Sequence, residues 1–107
     1  MESFEAVLKL YKYVAESEEE VERELKKLGE IIKTRSQLNK DVEYISVTKV
    51  SRGDVKGLIL IRGDRGKVLD EVNLLTTLIR TNFKSIDVEV PKAGLLSSIA
   101  LHIKNFL

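Results

Sequence analysis

The segment Gly63-Asp64-Arg65-Gly66-Lys67 is where residue type and spacing come nearest to chemistry. Two glycines three apart, at the start of a helix-like run, offer backbone N–H groups that can cradle a phosphate. A P-loop would need glycine where Ile61 stands and a hydroxyl where Val68 stands, so the nucleotide motif is excluded. A G-x-x-G that clamps RNA backbone lies between two helices, whereas an apolar strand leads into this one, and a plain β-to-α turn has the same spacing. Around it Lys49, Arg52, Lys56, Arg62, Arg65 and Lys67 outweigh Asp54 and Asp64, a net +4 over residues 49–67. Residues 16–24 carry a net −5. Such poles could steer a nucleic acid to the basic end, with Lys49, Arg52, Lys56, Arg62, Gly63, Arg65, Gly66 and Lys67 as contacts. Two solvated faces would account for the same asymmetry.

Other chemistries find fewer candidates. With 0 cysteines in 107 residues, disulfides, thiol catalysis and cysteine-ligated zinc are excluded. The lone His102 gives a histidine metal site no second histidine, and on an otherwise apolar, lysine-bearing final helix it reads as a surface or half-buried residue and not as the base of a Ser-His-Asp triad. The carboxylates Asp64, Asp70, Glu71, Asp87 and Glu89 show only ordinary surface spacing, so no catalytic residue, metal or cofactor is expected. Arg-Gly-Asp occurs at Arg52 and again at Arg62, but an adhesion role needs export. The start MESFEAVLKLYKYV lacks the basic lead and apolar run of a signal peptide, and a soluble, cytoplasmic protein is expected. A charged fraction of 33% with one glutamine leans toward a thermophilic source. An RNA-recognition sheet would carry stacking aromatics on its middle strands. KGLILI at Lys56–Ile61 has leucine and isoleucine there, leaving Tyr11, Tyr13 and Tyr44 as possible stacking residues and making protein contact the better use of the sheet.

The elements that must position these residues follow from periodicity. Ala6 to Ala15 alternates as a strand, with Leu8, Leu10 and Val14 on one face and Val7, Lys9, Tyr11 and Tyr13 on the other. The residues Phe4, Val7, Tyr11 and Val14 also fit a 3-4 helical spacing, and the S-x-x-E box at Ser17 favours a strand followed by a new helix. That helix runs from Glu18 to about Lys33, its stripe formed by Val21, Leu25, Leu28, Ile31 and Ile32. Thr34 to Lys40 is polar and turn-prone. Two strands, Val42–Val50 and Val55–Arg62, flank a turn at Gly53. Asp64 is an N-cap for a helix ending near Asn82, with Val68, Leu69, Val72, Leu75, Leu78 and Ile79 inward. Ser85–Val90 alternates as a short strand before Pro91, and Ala93–Leu107 forms a final amphipathic helix. The expected fold is one α+β domain over residues 1–107, a ferredoxin-like βαββαβ sandwich with an additional C-terminal helix. If the first segment is helical the order becomes αββαβα.

The same order of elements carries a resemblance. A strand, the Ser17-Glu18-Glu19-Glu20 helix start, a hairpin, then Asp64 followed by Val68, Leu69, Val72-Asn73 and Leu78-Ile79-Arg80 resembles the small dimerisation subunit of the KEOPS tRNA-modification complex. It covers roughly residues 6–83. The family's Asn-Ser-Tyr-Leu-Arg-type run stands here as Asn73-Leu74-Leu75-Thr76-Thr77, and residues 84–107 have no counterpart, as in a divergent paralogue. The resemblance implies a non-catalytic subunit that pairs with itself or a paralogue, joins other protein subunits and helps hold tRNA. Interface residues expected from the apolar stripes are Tyr11, Tyr13, Leu95, Leu96, Ile99, Ile103 and Phe106. If the final helix lies in an interface, truncation after Pro91 changes assembly more than it changes the core fold.

Overall fold

The computed structural model describes residues 4–12, 18–51 and 54–89. The elements are β1 (Phe4–Lys12), α1 (Glu18–Leu38), β2 (Glu43–Ser51), β3 (Asp54–Gly63), α2 (Arg65–Asn82) and β4 (Ile86–Glu89). The strands form one antiparallel sheet in the order β2-β3-β1-β4. This is the ferredoxin-like βαββαβ arrangement, and β1, paired with both β3 and β4, is a strand and not the start of a long helix. The final helix, the Ser17 cap and the Gly53 turn lie outside the described residues.

Alternation divides the sheet into two faces. Ala6, Leu8 and Leu10 of β1, Ile59 and Ile61 of β3, and Ile86 and Val88 of β4 form the main core with Leu28 and Ile32 of α1 and Val68, Val72, Leu75 and Ile79 of α2. Each of the valine, leucine and isoleucine side chains contributes about 1.5–3 kcal/mol by leaving water. Val7, Leu58 and Leu60 form a second buried cluster on the opposite face. Gly57 is fitted to the main core: a Cβ there would come within 2.8 Å of the Leu10 side chain, which fills the space from the neighbouring strand.

Helix α1 is longer than its apolar stripe predicts. The expected turn from Thr34 is helical as far as Leu38. Its polar residues are satisfied within the helix: Thr34 Oγ1 donates to the Glu30 carbonyl at 3.0 Å and Ser36 Oγ to the Lys33 carbonyl at 2.8 Å. The extra turn brings Arg35 and Asn39 over the sheet. At the other helix the expected cap is present, with the Asp64 carboxylate accepting from the Lys67 backbone N–H at 3.2 Å.

Candidate functional site

The basic residues expected to act together are divided between the two ends of the β2–β3 hairpin. Lys49 and Lys56 face each other directly across the strands. Arg62 lies six residues further along β3, about 20 Å away at strand rise. There it is bonded to Glu43 at 2.5 Å, with Glu5 at 3.8 Å. Lys67 Nζ bonds Asp41 at 2.8 Å, which raises the lysine pKa and lowers that of the aspartate, chiefly through that hydrogen bond. Arg65 stacks on Phe4 with 5.5 Å between guanidinium carbon and ring centre. Arg52 lies outside the described residues.

In the G-x-x-G turn the Lys67 N–H that could hold a phosphate is turned toward the Asp64 carboxylate. Gly63 has a packing role: a Cβ would come within 2.9 Å of the Asp41 carbonyl oxygen and 3.4 Å of Val42 Cα. Gly66 meets only the Asp64 side chain, at 3.3 Å. Gly63 therefore serves close approach of β3 to the α1–β2 connection first.

A buried, hydrogen-bonded polar cluster lies elsewhere, and Glu71, expected to be a surface carboxylate, is its centre. Its side chain is 6% exposed. Arg35 donates to both carboxylate oxygens, Nε at 2.9 Å and Nη2 at 2.6 Å, while Tyr44 Oη donates at 2.5 Å. Asn39 Nδ2 donates to the Tyr44 oxygen at 3.3 Å and to the Arg35 carbonyl at 3.2 Å. The Arg35 hydrogen bonds hold the Glu71 pKa below the usual carboxylate range against the opposing effect of burial. Burial first, then the bond to Glu71, pushes the Tyr44 phenol up to about 12. The cluster ties α1, α2 and β2 together. It consists of an ion pair whose charges are mutually satisfied and a phenol held neutral, an arrangement that fixes geometry and has no group poised to exchange a proton near pH 7. Glu71 was legible only in part: it occupies a position of α2 between the inward Val68 and Val72, one turn before Leu75.

Tyr44 is thus turned to the face covered by α1 and α2 and is not placed to stack a base on the opposite one. Tyr11 does lie on that opposite face, 39% exposed, its hydroxyl donating to Asp87 at 3.1 Å. Tyr13, Leu95, Leu96, Ile99, Ile103 and Phe106 lie outside the described residues. A groove of about 590 Å³ runs between α2 and β4, bordered by Leu69, Asn73, Thr76, Arg80 and Glu89. Among the described residues no group of three potential metal ligands is clustered, and no helix is long and apolar enough to cross a membrane.

The two sheet edges contrast. On β4, Val88 N–H donates to Asp87 Oδ1 at 2.7 Å and the Val88 carbonyl accepts from Arg80 at 3.2 Å, so side chains occupy both backbone groups. On β2, Glu43, Ile45, Ser46, Thr48, Lys49 and Val50 are exposed. Pairing of Ser51 with Asp54 closes the hairpin as a mutually bonded pair, and alternation from there directs the backbone of Tyr44, Ser46, Thr48 and Val50 outward. Among the described residues neither a strand nor a side chain bonds to those outward groups.

No family model and no curated protein matches the chain. Solved structures similar to it include the de novo designed protein Foldit4, with a TM-score of 0.54 at 22% identity, covering 85% of this chain and 98% of that one. A designed protein with a ferredoxin fold, LFR1 1, solved by NMR in solution, has a TM-score of 0.55 at 18% identity, covering 92% of this chain and 94% of that one. At these identities the likeness establishes the fold alone.

Proposed function

We propose that this protein is a non-catalytic assembly subunit that binds another protein chain by adding a strand to β2. The observation that carries the reading is the nine-residue β2 edge, unbroken by proline or glycine and with its outward backbone groups unbonded among the described residues. Edges of this kind are templates for β-strand addition, in which main-chain hydrogen bonds give affinity and alternate side chains give specificity. The resemblance makes a KEOPS-like tRNA-modification complex in the cytoplasm the first assembly in which to look. Direct nucleic-acid binding through the basic hairpin has less in its favour, because Arg62 and Lys67 are engaged by carboxylates and the hairpin separates them from Lys49 and Lys56.

The test is affinity purification from the native cell of the unaltered protein and of Thr48→Pro, which removes one outward N–H without breaking a β2–β3 bond. The expected result is a stoichiometric co-purifying chain that Thr48→Pro loses while retaining its circular dichroism spectrum. Equal recovery with both proteins would refute the edge as the binding surface.

A further inference from the structure

We infer that the chain seated on β2 is a second copy of this protein, its β2 running antiparallel about a twofold axis through Ser46. The inference rests on the assembly reading above and adds the partner and the register. Because Tyr44, Ser46, Thr48 and Val50 present their backbone outward, a β2–β2 pair must match even-numbered residues with even-numbered ones. Only a few registers remain, each centred on one residue. Centred on Ser46, the pairing sets Tyr44 against Thr48 of the second copy and Ser46 against its own counterpart, an exchange of about six backbone hydrogen bonds.

On the face away from α1 and α2 the same register sets Glu43 against Lys49 of the second copy and Ile45 against Val47, each contact occurring twice by symmetry. Centring on Ile45 would oppose Glu43 to valine, and centring on Val47 would oppose Ile45 to lysine. The Ser46 register therefore pairs unlike charges at both ends and apolar side chains between them. It also answers a local conflict: Lys49 lies directly opposite Lys56 within the chain, a like-charge pair that is unfavourable in a sheet. Glu43 of the second copy would flank Lys49 from its other side. Glu43 remains 64% exposed even while bonded to Arg62, so it is accessible to a second cation. Ile45, 38% exposed in the single chain, would be covered.

Sedimentation velocity on purified Glu43→Lys, Lys49→Glu and their equimolar mixture tests the register. The unaltered protein is expected to dimerise at tens of micromolar. Each single variant should dimerise roughly tenfold or more weakly, because like charges replace both ion pairs. The mixture should recover a heterodimer, since every lysine then meets a glutamate. As an independent readout in a chain without cysteine, Ser46→Cys should form a disulfide-linked dimer on mild oxidation and Val47→Cys should not. A dimer indifferent to both charge reversals, or one cross-linked better through position 47, would overturn the register. A monomeric protein that still captures a different chain in a Thr48→Pro-sensitive way would overturn the second copy as partner while leaving the assembly reading intact.

Discussion

β4 and β2 border the same sheet and are protected in opposite ways. β4 is described over Ile86–Glu89, and there Asp87 and Arg80 bond the N–H and carbonyl of Val88. Its approach is held as well: Glu24 of α1 accepts from the Ser85 N–H at 3.0 Å and from the Lys84 N–H at 3.3 Å. β2 runs over nine residues and its outer side presents bare backbone among the described residues, yet its inner face is anchored firmly through Tyr44 to Glu71 and Arg35. An edge strand is a liability unless blocked or used. An anchored edge whose outward groups are unbonded among the described residues, opposite a blocked one, is what the proposed strand addition at β2 rests on.

The largest effect should come from loosening that anchor. Arg35→Ala would leave Glu71 buried with Tyr44 as its remaining side-chain donor, and a loss of about 2–3 kcal/mol is expected, at the low end for a broken buried pair because a quarter of Arg35 is exposed. Urea unfolding measures it; a change under about 0.5 kcal/mol would show that β2 is held by its ladder with β3 alone.

A smaller, two-sided effect is expected with pH. Glu71 has a depressed folded pKa, so its contribution is present above the ordinary carboxylate value of about 4.3 and is lost as pH falls through the lowered one. Tyr44 has a raised folded pKa, so its contribution is present below the unfolded phenol value of about 10 and is lost as pH rises toward about 12. Thermal melts of the unaltered protein should therefore decline at both extremes, and Tyr44→Phe should make the alkaline decline shallower, with Lys67, whose pKa is also raised, contributing to what is left. An unchanged alkaline limb in that variant would assign the decline to other groups.

The smallest effect on stability should be at β4. Arg80→Ala uncovers the Val88 carbonyl at a cost of about 1 kcal/mol or less, given the exposure of the arginine. Its more telling consequence is in assembly. With one backbone group of β4 freed, the variant should sediment with a larger average mass than the unaltered protein, and an unchanged mass would mean that β4 is protected without help from Arg80.

Much of the fold was legible in the residues themselves. Alternation in β1, β2 and β3, the stripe of α1, the Asp64 cap and the apolar positions of α2 are local signals, because each depends on neighbours within a few positions of the chain. They were enough to indicate βαββαβ order and the helix-facing sides of the strands. The end of α1 was not legible: Thr34, Ser36 and Asn39 look like turn residues until Arg35 is seen to face Glu71, 36 positions away. The candidate site was less legible than the fold. Six basic residues close in sequence suggested one patch, but a hairpin of extended strands carries Lys56 and Arg62 apart, and carboxylates at Glu5, Asp41 and Glu43 come back to meet Arg62 and Lys67. By itself, then, the sequence determined the element order and the faces of the strands, which are set by local periodicity. Tertiary structure alone decided which charges are neutralised, which carboxylate is buried, and which sheet edge has its backbone bonded by side chains, because each depends on partners brought together from distant parts of the chain.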